Sequence, residues 1–256
     1  MSLAKYARLP DTTHIRDHLK RLHHSRWGFV IYRCTYGDDE AWSRFMYVLN
    51  QRAWLALTDL SDLVHDDDGE VVHLLKSLDW KVFDDHAHFE EASKADVREH
   101  FKAWVQSEEA RQEEPDGILF GTTEPNGKGK ETLHGLTPRY TFPLHVDAAA
   151  LDSVINAAPR PYDLTHDIGY VNMIDTYWKL PNDVVLEWEE RLLVCGARDL
   201  ADEGEEPVEG CKMYEVGWMK VSVDGLVPGM YAYLLDEMFC GLWGHRYIRP
   251  PQVFER

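Results

Sequence analysis

The 256-residue sequence has few cysteines and no long apolar run. Its four cysteines, Cys34, Cys195, Cys211 and Cys240, form no CxxC pair, so neither a zinc ribbon nor a disulfide framework is indicated. We therefore expect reduced thiols and a cytoplasmic location. No apolar stretch approaches the roughly 18 residues of a membrane-spanning helix, and MSLAKYARLPDTTH lacks the apolar segment of a signal peptide. A membrane partner is not expected.

Positive charge is also scarce, because 27 Lys and Arg stand against 45 Asp and Glu, for a net charge of −18. Binding to nucleic acid depends on Lys and Arg that neutralise phosphates, so no nucleic-acid partner is expected. Hydrophobic residues make up 44% of the chain, which includes 9 Trp, 12 Tyr and 9 Phe. These values are typical of a globular protein that buries a substantial core.

The common catalytic and nucleotide-binding motifs are missing. There is no GxSxG and no GxGxxG after a predicted strand. Residues 117–135 contain several glycines and lysines, but five residues separate Gly121 from Gly127, and no helix opens after Lys128. This stretch therefore fails the phosphate-loop pattern and predicts a hairpin or a loop. We expect no cofactor.

Histidines are frequent, with 13 in the chain, yet they give no metal motif. His14 and His18 have the spacing of two ligands on a helix, but the glutamate of HExxH and a third ligand are lacking. His86 and His88 flank an alanine in a predicted loop between acidic residues, where such a pair is more often exposed to solvent than bound to a metal. We expect no metal site. Elemental analysis of the purified protein would show whether it contains a metal.

What the sequence does contain is a strand that leads directly into a helix, at residues 27–57. WGFVIYR is β-branched and aromatic, and after Gly37 the apolar residues change to helical spacing, from Trp42 to Ala53. The acidic residues DDE between them predict a helix N-terminus, where carboxylates satisfy free N–H groups.

The same strand-to-helix transition recurs after the predicted strand at 139–147, where Asp147 is predicted to cap the next helix. It recurs again after the predicted strand at 211–225. Acidic stretches at 59–70 and 199–210 are typical of solvated loops. The other predicted elements are helices at 13–24, 94–111, 148–159, 184–199 and 226–243, strands at 78–84 and 169–181, and an edge strand in the tail at 247–256.

This order predicts an α+β fold. The first six elements match a ferredoxin-like βαββαβ antiparallel sheet with helices on one face, extended by a further C-terminal β-α unit. We divide the chain into an N-terminal helical segment at 1–26, a ferredoxin-like core at 27–180, and a C-terminal extension at 181–256 that packs on the same domain.

Four blocks carry a resemblance to other proteins: WGFVIYR-x-TYGDDExW, DVRxxFxxWV, FPLHVDxxALDSV and GYVNMID. With these blocks the chain resembles uncharacterised fungal, ascomycete-type proteins of unknown function. The resemblance covers scattered blocks across most of the chain. It implies a cytoplasmic fungal protein and no particular activity, since no catalytic residue attaches to the blocks.

Polar residues inside the predicted strands give a candidate site. In a ferredoxin-like sheet the first strand lies between the third and the fourth, so Arg33, His145 and Asp175 can meet on the face without helices. They would form an anion-binding or acid/base pocket, with His145 and Asp175 as catalytic groups and with Arg33 and Tyr177 as binding groups. The alternative is structural, with an ion pair between Arg33 and Asp175 and with His145 beside the following turn.

A second candidate lies near the C-terminus, where GLWGHRYIRP combines aromatic and basic residues. Trp243, His245 and Arg246, beside Tyr247, could bind an acidic ligand or stack on a ring. Packing of a terminal segment onto the domain explains the same residues without any ligand.

Two hypotheses of function follow, and no motif decides between them. The first is an α+β protein that binds a small-molecule ligand or a protein partner. The second is a cofactor-free acid/base enzyme that uses the open face of the sheet, by analogy with dimeric α+β barrel proteins, which also leaves a homodimer open. Whether the protein is an enzyme is not decided by the sequence.

Overall fold

A computed structural model describes residues 11–61, 69–123, 132–157, 169–178, 206–237 and 247–255. The helices are α1 (Asp11–Leu22), α2 (Asp39–Ser61), α3 (Glu70–Ser77), α4 (His86–Phe89), α5 (Lys94–Val105), α6 (Glu108–Glu113), α7 (Ala148–Ala157) and α8 (Tyr231–Glu237). The strands are β1 (Val30–Arg33), β2 (Lys81–Phe83), β3 (Phe120–Thr123), β4 (Thr132–Gly135), β5 (Leu144–Val146), β6 (Tyr170–Ile174), β7 (Trp218–Ser222) and β8 (Val253–Phe254).

Six of these strands form a mixed sheet in the order β2-β1-β5-β6-β7-β8. β1 is parallel to both β2 and β5, β6 is antiparallel to β5 and β7, and β8 is parallel to β7. The α+β class is confirmed. The ferredoxin-like topology is not, since that sheet is antiparallel and would place β6 beside β1, whereas β6 pairs with β5 and β7.

Helices cover both faces of the sheet, which corrects the expectation of one bare face. Phe29, just before β1, contacts Tyr231 of α8, with ring centroids 5.3 Å apart. Tyr32, on the opposite side of the same strand, contacts Phe101 of α5 at 6.5 Å. One helical layer contains α1, α2, α3, α7 and α8, which contact one another, and α5 crosses the other face. Because side chains alternate along β1, they pack into a hydrophobic core on each face of the sheet.

Local capping chemistry explains where several helices begin. The Asp38 carboxylate accepts the N–H of Ala41 at 2.8 Å at the start of α2, as the acidic residues there predict. Asp147 does the same for α7 by accepting the N–H of Ala150 at 2.8 Å. Ser93 and Asp96 form a reciprocal capping box at the start of α5. These short-range contacts fix the ends of the elements that border the site.

The predicted helical faces are confirmed in α1 and α5, whose apolar stripes are buried. In α1 these are Ile15, Leu19 and Leu22, and in α5 they are Val97, Phe101, Trp104 and Val105. The histidines at 86 and 88 lie in the one-turn helix α4 and not in a loop, because Asp85 caps the N–H of Ala87.

The strand predicted at 139–147 is shorter than expected. Only Leu144–Val146 pairs in the sheet, and Pro138–Tyr140 forms a turn of 3₁₀-helix instead. Pro143 cannot donate to a ladder, which limits the strand at its start. Of the hairpin or loop predicted at 117–135, the described residues form two antiparallel strands, β3 and β4, as a hairpin requires. The predicted edge strand in the tail is confirmed by β8.

The residues freed from that strand include Arg139, whose side chain is 0% exposed. Its guanidinium donates to the Asp79 carboxylate at 2.7 Å and to the Asp79 carbonyl at 2.8 Å, and it lies 3.1 Å from the Glu113 carboxylate. A buried guanidinium with fewer partners would be strongly destabilising. Arg139 therefore ties the entry to β2 to helix α6.

Among the described residues, no helix combines the length and the apolar character that crossing a membrane requires. The predicted helix at 184–199 and most of the acidic stretches at 59–70 and 199–210 lie outside the described residues. Helix α2 extends through Ser61, slightly into the first of those stretches.

Candidate functional site

The candidate site lies where the parallel strands β1 and β5 end. Register pairs Tyr32 with His145 and His145 with Asn172, so these three side chains share the face that α5 covers. From β1 the chain continues through α2 and α3 to β2 on one side, and from β5 it continues through α7 to β6 on the other. The connections that follow β1 and β5 thus lead toward opposite edges of the sheet. In open α/β sheets, ligands usually bind in the crevice between two such strands, outside their carboxyl ends.

A cavity of about 350 Å³ occupies this position. This volume falls within the range of small-molecule sites, at its lower end. The described residues that line it come from the end of β1, the α4–α5 connection, the end of β5 and one later turn: Cys34, Thr35, Glu90, Glu91, Ala92, Ser93, Lys94, His145, Asp147, Ala148 and Glu209.

His145 is the buried histidine of the cavity and is only 3% exposed. Its Nε2 lies 2.8 Å from the carbonyl oxygen of Ala92, and because a carbonyl only accepts, Nε2 carries the proton. Nδ1 is then an acceptor, and the Asn172 amide reaches it at 3.4 Å. Burial, and then the Lys94 ammonium, lower the pKa of His145. His145 is therefore a neutral acceptor at neutral pH.

Asp147 links this imidazole to the rest of the site. Its Oδ2 accepts from the Asn172 amide at 3.0 Å and lies 3.8 Å from His145 Nδ1. Its Oδ1 caps α7. The carboxylate is half-buried and is held by a helix N-terminus and by an amide, so its orientation toward the cavity is fixed by the fold.

Lys94 supplies the buried cation of the site, and its side chain is 8% exposed. Its Nζ lies 2.6 Å from Glu209 and 3.9 Å from Asp147, and it sits 4.0 Å from the centre of the Trp218 ring. A buried ammonium requires such compensation. The carboxylates of Glu209 and Asp147 and the ammonium of Lys94 together carry one net negative charge.

Cys34 also lines the cavity, but it is not an activated nucleophile. Burial raises the pKa of its thiol to about 12. The Sγ donates weakly to the carbonyl oxygen of Tyr32 at 3.7 Å. Since the thiolate is the reactive form, this thiol is nearly inert at neutral pH.

Arg33, predicted as a binding group, lies on the opposite face of the sheet from His145. Its guanidinium pairs with the Asp39 carboxylate and lies 3.4 Å from that of Asp84. The Trp42 ring packs over it at 5.2 Å. The structure therefore does not bring Arg33 and His145 together, and Arg33 links the end of β1 to the start of α2.

Asp175 and Tyr177 lie beyond the end of β6, away from the cavity lining. The Asp175 carboxylate accepts the N–H of Tyr177 at 2.8 Å, and its carbonyl accepts from Arg98 of α5 at 2.8 Å. Burial raises the pKa of Asp175 and that of Tyr177. The Tyr177 hydroxyl accepts the N–H of Gly135 at 2.9 Å, which attaches the β3–β4 hairpin to the sheet. The structure therefore does not bring Asp175 into the contact with Arg33 and His145 that the sequence predicted.

The remaining candidates are the C-terminal group and the histidines of α1. Trp243, His245 and Arg246 lie outside the described residues. His14 and His18 contact each other edge to face on α1, with ring centroids 4.9 Å apart. In the part of the chain that the structure describes, no group of three or more His, Cys, Asp or Glu side chains could hold a metal ion.

The sequence identified His145 but not its companions. Asn172 lies inside a predicted strand, and alternation alone does not reveal which residue of another strand it faces. Lys94 begins a predicted helix and Glu209 belongs to an acidic stretch, and both patterns are typical of solvated surfaces. A lysine directly after the N-cap, where acids are favoured, was the available signal.

The chain matches no protein-family model, no curated protein and no solved structure.

Proposed function

We propose that the protein binds a small polar molecule in the cavity at the ends of β1 and β5. The observation that carries this proposal is His145, a buried and neutral imidazole that lines a cavity of about 350 Å³. Burying a polar side chain costs free energy, which an apolar residue in the same strand would avoid. A small molecule fits this site better than a protein partner, because a flat surface does not reach a residue so deeply buried.

The charges of the cavity favour a neutral or cationic ligand over an anionic one. Among the described residues that line it, the carboxylates of Glu90, Glu91, Asp147 and Glu209 outnumber the ammonium of Lys94. A ligand with N–H or O–H donors can bond to the Asp147 carboxylate, and it can replace the long contact from Asn172 to the imidazole. An amine or a polyol of fewer than about 20 non-hydrogen atoms has these properties and fits a cavity of this size.

A thermal-shift screen tests this proposal. The probes are putrescine, glucose, glycerol and succinate, at concentrations up to millimolar, with wild type and with His145→Phe. We expect an amine or a polyol to raise Tm in wild type and not in the variant, since Phe fills the imidazole position without an acceptor. Succinate is the matched anionic probe. A stronger effect of succinate, or equal shifts in wild type and His145→Phe, would refute the proposed ligand class or site.

The second candidate is a cofactor-free enzyme that uses His145 as a general base. It is favoured by the lowered pKa of His145 and by the Asp147 carboxylate 3.8 Å from Nδ1. Exchange of carbon-bound hydrogen of a bound probe with D₂O, followed by NMR, separates the two functions. Exchange that His145→Asn abolishes supports the enzyme, and tight binding without exchange supports a binding protein.

We also infer a cytoplasmic location and a fungal origin. The dispersed cysteines support the first, and the resemblance of four sequence blocks to fungal proteins supports the second. A homodimer is compatible with both functions. Sedimentation of the purified protein measures the oligomeric state, and a thiol count under non-reducing conditions tests whether all four cysteines are reduced.

A further inference from the structure

Asn172 connects two titratable groups of the cavity, His145 and Asp147. Its side chain is 1% exposed, and the register of β5 with β6 places it directly beside His145. The amide nitrogen lies 3.0 Å from Asp147 Oδ2 and 3.4 Å from His145 Nδ1, and these two acceptors are 3.8 Å apart. Since 3.8 Å is too long for a hydrogen bond, the carboxylate bonds to the amide and not to the imidazole.

The partners of this amide fix its orientation. A carboxylate only accepts hydrogen bonds, so the nitrogen of Asn172, and not its oxygen, must face Asp147. Asp147 is itself held in place, because its Oδ1 caps α7 by accepting the N–H of Ala150 at 2.8 Å. The same amide nitrogen therefore presents a donor to His145 Nδ1. A proton on Nδ1 would meet a donor where it needs an acceptor.

The other ring nitrogen of His145 has the opposite environment. Its Nε2 lies 2.8 Å from the carbonyl oxygen of Ala92, which only accepts. A donor at Nδ1 and an acceptor at Nε2 together fit one form of the ring, the neutral form with its proton on Nε2. The surrounding charges do not impose this form by themselves, since the Lys94 ammonium disfavours an imidazolium whereas the carboxylates of Asp147 and Glu209 favour it.

We infer that Asn172 is a positioning residue, which keeps His145 neutral by donating to Asp147 and by facing Nδ1 with the same nitrogen. Without this donor, the ring can take a proton at Nδ1 and turn it toward Asp147, which yields an imidazolium–carboxylate pair. The meaning of this role rests on the proposed function, because only an unprotonated ring nitrogen accepts a hydrogen bond from a ligand or acts as a base. The state of the ring itself is measurable without any ligand.

NMR of the full-length protein with ¹⁵N-labelled histidine tests this inference, because each ring nitrogen changes its chemical shift when it gains a proton. Loss of a signal in His145→Gln assigns the ring. In wild type at pH 7 we expect a proton on Nε2 and none on Nδ1. In Asn172→Leu we expect a proton on Nδ1 and a pKa of His145 that is higher by one or more, at least about tenfold in proton affinity, since Asp147 then faces the ring alone.

The direction of the change separates positioning from a merely structural role. Leucine deepens the burial of the ring, and burial alone lowers the pKa of His145 or leaves it unchanged. Adding Asp147→Asn, which retains a good cap for α7, removes the carboxylate and should abolish the rise. A pKa of His145 that does not rise in Asn172→Leu, or that rises equally in this double variant, overturns the inference. A proton on Nδ1 in wild type does so as well.

Two controls complete the test. Asn156→Leu makes the same substitution at an exposed site on α7 and should leave the His145 signals unchanged. If Asn172→Leu does not fold, Asn172→Val removes the same donor with a smaller side chain that strands favour, and the same rise is expected. Thermal shifts with putrescine and glycerol are measured in parallel. The expected NMR result with no bound probe supports the role of Asn172 and removes the proposed ligand class, whereas a bound probe without the NMR result leaves the proposed function and overturns the inference.

Discussion

The neutral state of His145 predicts how the stability of the protein depends on pH. In the unfolded chain its pKa is about 6.5, and in the folded protein it is lower. Between these two values the unfolded state binds a proton that the folded state does not. The free energy of unfolding therefore falls as the pH falls below about 6.5, and it recovers as the pH rises.

The magnitude follows from the size of that window. Each pH unit below the unfolded pKa costs about 1.4 kcal/mol for one group that stays neutral in the folded state. Between pH 6.5 and pH 5 this amounts to at most about 2 kcal/mol from His145. His24 is also buried with a lowered pKa and adds a further loss, but that loss is common to wild type and to any variant at His145.

Urea unfolding at pH 7, 6 and 5, followed by tryptophan fluorescence, measures this effect. His145→Gln changes stability at pH 7 through lost contacts, so only the change with pH is compared. We expect the variant to lose up to about 2 kcal/mol less than wild type between pH 7 and pH 5. His73→Gln, at an exposed site on α3, is the matched control and should retain the wild-type slope.

Equal slopes in wild type and His145→Gln would refute the reasoning. They would mean that the folded protein protonates His145 as readily as the unfolded chain does. The imidazole would then be charged in part at neutral pH and could not serve as the acceptor or the base that the proposed functions need.

Two further predictions concern the fold. Arg139→Met should lower the free energy of unfolding by about 3 kcal/mol, because it leaves two carboxylates without their buried cation, whereas Met at the exposed Arg111 should have little effect. Gly28→Ala should be more destabilising than Gly69→Ala, since both have positive φ but only the first places its methyl carbon 2.5 Å from the Asp79 carbonyl. Urea unfolding of each pair measures both differences, and equal losses within a pair would contradict the explanation.

The elements that sequence predicted correctly are those with local causes. Helix α2 begins at the acidic residues DDE because Asp38 caps it, and α7 begins after Asp147 for the same reason. The apolar stripe of α5 predicts burial but not the face of the sheet that buries it. Sheet order depends on contacts between distant residues, and this is why the predicted neighbours of β1 were only partly correct.

The same distinction applies to the site. Alternation placed His145 inside a strand, yet its partners depend on register, which pairs it with Asn172 and leaves Asp175 three residues farther along. Glu209 lies in an acidic run of a kind that normally remains solvated, yet its carboxylate pairs with the buried ammonium of Lys94, from a distant part of the chain. A charge pattern along the sequence does not contain that information.

The contrast between the two faces of the sheet gives the strongest physical reason to place function at the cavity. One row of paired residues is wholly apolar: Ile31, Leu144, Met173 and Met219. The neighbouring row on the other face is polar: Tyr32, His145, Asn172 and Lys220. Since buried polar groups with their partners contribute no more stability than well-packed apolar residues, stability alone does not account for the second row. Of this row, His145 lines the cavity, and a ligand bonded to it would account for its burial.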